Sequence, residues 1–157
     1  MKNKFLGLNI YEILNSPIKE LSSLKFPQKI AESLNILCKL RLDYLKLNTL
    51  ILSLSGGENQ RLKLFSAFND KKNEIYGLDE PTSGLDDLDI YSILDLLYEF
   101  IEKKSKTFIV AEHNPIFLKN CSYIVELIKN NSTVDIKFDD ETCKIKNSLE
   151  SDIKFYL

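Results

Sequence analysis

Long apolar runs are absent from this sequence of 157 residues. The longest, such as Phe108 to Ala111, fall far short of the roughly twenty residues that a membrane-crossing helix needs. The first residues, Met1 to Lys4, lead into no apolar core of the kind that a signal peptide has. We therefore expect a cytoplasmic chain without membrane insertion.

An excess of either charge is also lacking, because 21 basic and 23 acidic residues leave a formal net charge of -2. The composition gives no electrostatic sign that this segment itself contacts nucleic acid. Cysteine is scarce as well: Cys38, Cys121 and Cys143 are odd in number, widely spaced and include no CxxC pair. Neither a disulfide framework nor a zinc site is supported, and we expect no zinc.

The segment 1–53 is predicted to be helical and to lead into a pair of glycines. Ser16 before Pro17 is typical of an N-cap followed by proline at the first helical position, and Pro27 can open another helix. The apolar residues of this later helix fall on one face, which we expect to be core: Ile30, Leu34, Leu37 and Cys38.

Apolar runs of strand length then alternate with helical patterns, which predicts an α/β fold. Residues 74–79 predict a buried strand, and residues 106–111 predict the next one. Between them, Asp86 or Asp87 can cap a helix that runs to about Lys103. The inward face of that helix is predicted to contain Ile90, Ile93, Leu94, Leu97 and Ile101.

The pattern continues with a brief helix from Pro115 and a third strand over residues 123–128. Strand, helix, strand, helix and strand is the rhythm of a parallel sheet, in which ligands gather beyond the carboxyl ends of the strands. Asp79, Glu80 and His113 all lie at such ends.

The predicted core ends at about residue 128, so that residues 54–128 form one segment and residues 129–157 a tail. Residues 133–138 and 142–146 of the tail alternate between apolar and polar, with two aspartates between them at 139–140. This pattern predicts a C-terminal β-hairpin.

The glycine pair lies in a loop that opens a predicted helix. Gly56 and Gly57 let the backbone approach a phosphate closely, while Ser55 can offer its hydroxyl and the helix N-terminus its unpaired N–H groups. The loop therefore predicts an anion site. The structural alternative is an ordinary glycine turn capped by Ser55.

Acidic residues follow the strand over 74–79. Asp79 in this setting is expected to bind Mg²⁺ directly or through water, because Mg²⁺ prefers hard oxygen ligands. The alternative is that Asp79 and Glu80 only cap the next helix near a turn. His113, the single histidine, follows the strand over 106–111, and its place relative to the acidic pair favours a functional residue over a structural one.

Four motifs in this order resemble the ATP-binding cassette (ABC) ATPases. Leu54–Glu58 resembles their signature loop, and it is followed by Leu78–Pro81, Ser83–Asp86 and Glu112–Asn114. The resemblance implies part of a cassette, in which a helical signature region precedes a parallel βαβ core. It also implies ATP and Mg²⁺ as cofactors and another cassette as partner.

The resemblance further implies roles for single residues. Glu80 would orient and polarise the water that attacks the γ-phosphate, and His113 would contact that phosphate as a switch histidine. Asp86 matches the D-loop, which crosses to the partner cassette. The residues that would act on ATP held by the opposite cassette are Ser55, Gly56, Gly57 and Glu58.

Within the ABC ATPases, residues 8–128 resemble the UvrA family, the excinuclease ATPases of bacterial nucleotide-excision repair. Glu58 in place of glutamine, the motif 112–114 and the segment 42–47 carry this resemblance, and residues 9–14 match a short helix of the family. The family forms cassette dimers around ATP and surveys DNA for damage before it loads a further repair protein. DNA and repair subunits are thus implied partners.

Three departures from the family stand out. Asp86 occupies a position where the family usually has histidine, and residues 129–132 replace a glycine-rich stretch. The largest departure is that no GxxxxGK[ST] motif occurs, so the phosphate-binding loop with its lysine is lacking. A triphosphate would then face Asp79 and Glu80 with little compensation except the metal. We expect the isolated chain to bind ATP weakly and to hydrolyse little or none.

Several functions remain open. The first is the C-terminal part of a repair-type ATPase, either a gene fragment or half of a split cassette that another chain completes. The second is half of a transporter or antibiotic-resistance cassette, which residues 83–86 favour and residues 112–114 disfavour. The third is a non-enzymatic module that offers its signature face to another cassette. An SMC-type half ranks last, because Pro17 and Pro27 interrupt the region where a coiled coil would enter.

Overall fold

The computed structural model describes residues 4–70, 73–130 and 133–139. The chain divides into two units, Met1–Asp70 and Lys71–Leu157. The first unit is helical and contains α1 (Ile10–Asn15), α2 (Ile18–Ser22), α3 (Gln28–Lys39), a 3-10 turn (Ile51–Ser53) and α4 (Gly56–Asn69). The second unit contains β1 (Ile75–Asp79), α5 (Asp87–Lys104), β2 (Thr107–Ala111), α6 (Pro115–Leu118), β3 (Ile124–Asn130) and β4 (Thr133–Asp139).

The predicted start of α2 is wrong by one residue. Pro17, not Ser16, is the N-cap of α2, and Ser16 ends α1. Pro17 has an extended ψ of 144° and therefore stands outside the helix, and no side chain caps α2. The Ser16 hydroxyl donates instead to Glu12 O at 2.8 Å. Pro27 opens α3 as expected, as its N-cap.

Helix α3 buries a face slightly different from the predicted one. Leu34 and Leu37 are buried as expected, together with Ile36. Ile30 is 46% exposed, so its assignment to the core is wrong, and Cys38 is half-buried. The reason is local: Ile30 stands in the first turn of α3 and lines an open apolar groove rather than the packed interior.

The second unit has the expected strand–helix–strand order. β1 and β2 pair in parallel, with Tyr76 opposite Phe108 and Asp79 opposite Ala111. The rings of Tyr76 and Phe108 stack with their centroids 5.3 Å apart, and both residues are buried. The inward face predicted for α5 is confirmed, since all five of its residues are buried: Ile90, Ile93, Leu94, Leu97 and Ile101.

The opposite face of β1 is bare. Successive side chains of a strand point to opposite faces, so Ile75 and Gly77 lie on the face away from Tyr76. Ile75 is 63% exposed, and a Cβ atom added to Gly77 would meet no atom of the described residues within 4 Å. Parallel sheets are normally covered on both faces, so this side of β1 lacks its usual covering layer among the described residues, whereas Thr107, Ile109 and Ala111 of β2 are half-buried.

The third predicted strand exists, but its expected membership in the parallel sheet is wrong. β3 pairs antiparallel with β4 in a separate sheet, with Val125 opposite Phe138. Only two residues separate β3 from β4 along the chain, a spacing that favours a hairpin, whereas a parallel pair needs a long crossover. The expected second hairpin strand, residues 142–146, lies outside the described residues.

Candidate functional site

The signature loop is held by a reciprocal capping box at the start of α4. The Ser55 Oγ atom accepts a hydrogen bond from Glu58 N at 3.2 Å, and Glu58 Oε2 accepts one from Ser55 N at 2.6 Å. The sequence forms this turn because serine is a preferred N-cap and a glutamate three residues later can reach back. The cap fixes the direction in which the first turn of α4 points.

The capped turn leaves hydrogen-bond donors unused. By helix geometry, the N–H groups of Gly56 and Gly57 have no acceptor within α4, whereas Asn59 N already donates to Ser55 O at 2.9 Å. A Cβ atom on Gly56 would meet no described atom within 4 Å, so the space before this turn is open. While its oxygen accepts from Glu58 N, the Ser55 hydroxyl can still donate its hydrogen to a ligand. These groups together can bind an anion such as a phosphate.

Glu58 is fully engaged in holding the loop. The Tyr44 hydroxyl donates to Glu58 Oε1, so both carboxylate oxygens have partners. These hydrogen bonds, first that from Tyr44 and then those from Ser55, lower the pKa of the Glu58 carboxyl. In this structure Glu58 acts on the conformation of the loop, and its expected contact with nucleotide remains a prediction.

Glu80 follows β1 in a conformation that non-glycine residues rarely adopt. Its φ angle is 41°, in the left-handed region. Glu80 N donates to Ala111 O at 2.9 Å, and Ser83 N donates to Glu80 O at 3.0 Å, which closes a turn over residues 80–83. A strained residue of this kind persists only where its surroundings fix it, and such residues cluster at functional sites.

His113 lies beside Glu80, as expected from the ends of two neighbouring strands. The distance from His113 Nδ1 to Glu80 Oε1 is 3.9 Å, and the distance to Glu112 Oε1 is 3.6 Å. The side chains of His113 and Glu80 are 80% and 56% exposed, so both can meet a ligand from solvent. An exposed carboxylate next to an imidazole can hold a water molecule and exchange a proton with it.

Sequence reasoning used Glu112 only as part of a motif and missed its structural role. Its side chain is 0% exposed and accepts four hydrogen bonds, from Thr82 N and Oγ1 and from His113 N and Asn114 N. Burial raises the pKa of this carboxyl, but the hydrogen bonds outweigh burial and leave the pKa below its ordinary value. The sequence signal that could have indicated this role is the position of Glu112, an acidic residue directly after the buried strand β2.

Asp86 caps α5, one of the two positions expected to do so. Its Oδ1 atom accepts from Asp89 N at 2.8 Å. Asp86 therefore has a structural task in this chain, and its proposed contact with another cassette remains a prediction. The turn over residues 81–84 precedes this cap, with Pro81 and Thr82 buried and Ser83 and Gly84 exposed.

Asp79 remains the candidate ligand for Mg²⁺. The described residues contain no group of three or more His, Cys, Asp or Glu side chains placed to hold a metal ion. A single carboxylate nevertheless fits Mg²⁺, which commonly takes one or two carboxylates and completes its shell with phosphates and water. Asp79 is exposed at the end of β1, where a nucleotide phosphate could share the ion.

The predicted site residues fall into two groups. One group lies at the start of α4 in the first unit, and the other lies at the carboxyl ends of β1 and β2 and at the N-cap of α5 in the second. Within the described residues, no helix has the length and apolar composition to cross a membrane.

The chain is similar in sequence and in fold to known proteins. No protein-family profile matches the chain. The UvrABC system protein A of Chlamydia pneumoniae is 41% identical over 124 residues, which cover 77% of this chain and 7% of that relative. The crystal structure of UvrA2 from Deinococcus radiodurans superposes with a TM-score of 0.64 and 26% identity, covering 79% of this chain and 19% of that one.

A transporter cassette shares the fold. MJ1267, an ATP-binding cassette of an ABC transporter, matches with a TM-score of 0.50 and 22% identity over 83% of this chain and 52% of that chain. The α/β fold and the ordered motifs thus define a portion of an ABC ATPase cassette. Within this class, the chain belongs to the UvrA family, of whose members it spans only a small part.

Proposed function

We propose that this chain contributes half of an ATP site to a UvrA-like repair ATPase. The start of α4 binds phosphate groups of a nucleotide held by another cassette, through the Ser55 hydroxyl and the N–H groups of Gly56 and Gly57. Asp79, with Mg²⁺, and the pair Glu80 and His113 act on a nucleotide held by a phosphate loop that this sequence does not contain. DNA and repair subunits are partners of the completed ATPase, and its location is cytoplasmic.

The observation that carries this proposal is the pairing of Glu80 with His113. Two residues 33 positions apart in the sequence meet at 3.9 Å, both exposed, at the ligand-binding edge of parallel strands. Glu80 adopts a left-handed φ there, at an energetic cost. The open, donor-rich turn at Gly56 supports the other half of the proposal.

Mg²⁺ would compensate part of the charge when ATP binds near Asp79. Asp79, Glu80 and Glu112 place three carboxylates at the carboxyl ends of β1 and β2. A triphosphate therefore needs further cationic groups, which a GxxxxGK[ST] loop provides through its lysine and backbone N–H groups. This explains why the chain alone is expected to bind ATP weakly.

The test is reconstitution with a polypeptide that carries the GxxxxGK[ST] half of a cassette from a UvrA relative. Phosphate release is measured for each chain alone, for the mixture and for the mixture with E80Q. We expect turnover only in the mixture, and its loss in E80Q while an ATP-dependent complex still forms. Replacement of the loop lysine in the partner by alanine is the matched control and should abolish ATP-dependent binding.

Two results would overturn the proposal. Micromolar ATP affinity of the chain alone with Mg²⁺, measured by calorimetry, would show that it holds a nucleotide without a partner. Hydrolysis in the mixture that is unchanged by E80Q would identify the chain as a non-catalytic module. A transporter role gains nothing beyond the shared fold, since the match to the transporter cassette is only 22% identical.

A further inference from the structure

We propose that Glu112 is a positioning residue that locks the turn after β1 to the segment after β2, so that Glu80 and His113 are held as one rigid pair. The inference rests on the proposed function of that pair. It goes further by assigning a role to a residue that cannot touch the nucleotide, because its side chain is 0% exposed.

Each carboxylate oxygen of Glu112 accepts hydrogen bonds from a different segment. Oε2 accepts from Thr82 N at 3.1 Å and from Thr82 Oγ1 at 2.6 Å, across 30 residues of sequence. Oε1 accepts from His113 N at 2.8 Å and from Asn114 N at 3.1 Å. One carboxylate therefore joins the turn that contains Thr82 to the backbone of His113.

The energetics favour a fixed link. A buried carboxylate is costly unless hydrogen bonds replace its lost hydration, and four donors from two segments do so here. Removal of any one donor leaves charge less compensated in a buried place. A displacement of either segment would lengthen two of these bonds at once, so the arrangement resists relative motion.

The link reaches both members of the functional pair. Thr82 lies two residues after Glu80, inside the turn that Ser83 N closes on Glu80 O at 3.0 Å. On the other side, Glu112 Oε1 is 3.6 Å from His113 Nδ1 and bonded to His113 N. Without the Thr82 link, the described bond that would still tie Glu80 to the β2 side is the one from Glu80 N to Ala111 O at 2.9 Å, so the turn beyond Glu80 would be free to shift relative to His113.

The experiment compares T82V with T82S. Valine keeps the shape of threonine but removes the hydroxyl that donates to Glu112, whereas serine keeps the hydroxyl. Backbone amide exchange of the chain is followed by NMR at His113 and Asn114, with core amides of α5 such as Ile93 as internal reference. Since His113 is the only histidine, its ring signals report the local environment without ambiguity.

We expect T82V to accelerate exchange at His113 and Asn114 by about tenfold or more, with the reference amides unchanged, and to shift the His113 ring signals. T82S should restore protection to within about twofold of the parent chain. In the reconstituted mixture, T82V should lower kcat by about tenfold and leave KM for ATP unchanged, because positioning of the reacting groups is lost and binding is kept.

Unchanged exchange and unchanged ring signals in T82V would overturn the inference, whatever the mixture does. If T82V moves the His113 signals but the parent mixture shows no hydrolysis, the link is established and the proposed function fails instead. E112Q provides a second variant, because its amide has one acceptor oxygen and cannot satisfy both segments. A fall in E112Q kcat with normal His113 signals would also contradict the proposal.

Discussion

The hydroxyl of Tyr44 donates a hydrogen bond to Glu58, which joins the segment before the signature loop to the first turn of α4. The contact spans 14 residues and adds to the capping box that Glu58 makes with Ser55. The loop is therefore held from outside the helix as well as from within it. The conformation of the signature loop is thus fixed by contacts within the chain and does not require a bound ligand.

Substitution Y44F should destabilise the fold slightly and make it less sensitive to acid. The loss of one hydrogen bond to this charged, half-buried carboxylate is expected to cost about 0.5–1 kcal/mol of unfolding free energy. Chemical denaturation at neutral pH measures this difference. Y11F is the control, since Tyr11 is 68% exposed, and it should change nothing.

The pH dependence of Y44F has a definite sign. The pKa of Glu58 is lowered in the folded chain, chiefly by Tyr44, so its stabilising contribution is complete above the unfolded pKa and is lost as the pH falls through the folded pKa. Without the Tyr44 hydroxyl this acid-dependent loss should shrink. An equal loss in Y44F and the parent chain would show that Tyr44 does not control the carboxylate.

Substitution G56A should separate folding from function. Alanine is a better helix former, and its Cβ meets no described atom, so the chain should gain up to about 1 kcal/mol of stability. The methyl group stands where a phosphate approaches, so ATP-dependent association with the phosphate-loop chain should weaken by about tenfold, or about 1.4 kcal/mol. Denaturation and an association assay give the two numbers.

One control variant, S66A, and one comparison variant, S55A, accompany G56A. S66A lies on the exposed side of α4 and should leave association unchanged. S55A removes the N-cap oxygen and should cost about 1 kcal/mol of stability as well as association. Association of G56A at the parent level would argue that no phosphate approaches this turn.

Substitution E80G should stabilise the chain relative to E80A. Both variants lack the carboxylate, but only glycine adopts the left-handed φ of 41° without a steric penalty. We expect E80G to be more stable than E80A by about 1 kcal/mol in chemical denaturation. Both should lose hydrolysis in the reconstituted mixture, so added stability would come without activity. Equal stability of the two variants would mean that the turn is not strained.

Cys121 should react with thiol reagents far more slowly than Cys38. Cys121 is 8% exposed and its Sγ donates to Phe117 O at 3.1 Å, and burial together with the charge of Glu112 raises the pKa of its thiol. Cys38 is half-buried. In a C143S background, labelling of the folded chain should be confined to Cys38 until denaturant is added, as mass spectrometry can show. Early labelling of Cys121 would contradict the described packing.

The α/β core was predictable because its determinants are local. The period of α5 alone assigns its buried face, and strand lengths with acidic ends place Asp79, Glu80 and His113 at one edge. The partner of β3 was not predictable in this way, since an apolar run does not state whether its neighbour is parallel or antiparallel. The role of Glu112 was hidden because it depends on Thr82, which is distant in sequence.

Ile30 shows a second limit of the sequence pattern. Its spacing matches the core face of α3, yet the helix begins beside an open groove, and only the fold decides which turn of a helix meets a packed neighbour. Asp86 shows the opposite case, because a capping role and a family role were both compatible with one position. The structure displays the first of these roles and leaves the second to experiment.

The bare face of β1, with Ile75 and Gly77, has a consequence for the order of events during folding. A strand such as β1, whose side chain Ile75 is exposed among the described residues, can meet its proper covering layer or another copy of itself, and the faster encounter decides between assembly and aggregation. The yield of folded protein should then depend on when the covering chain is present. Co-expression with a chain that covers this face of β1 should give more folded protein than mixing the two chains after separate purification.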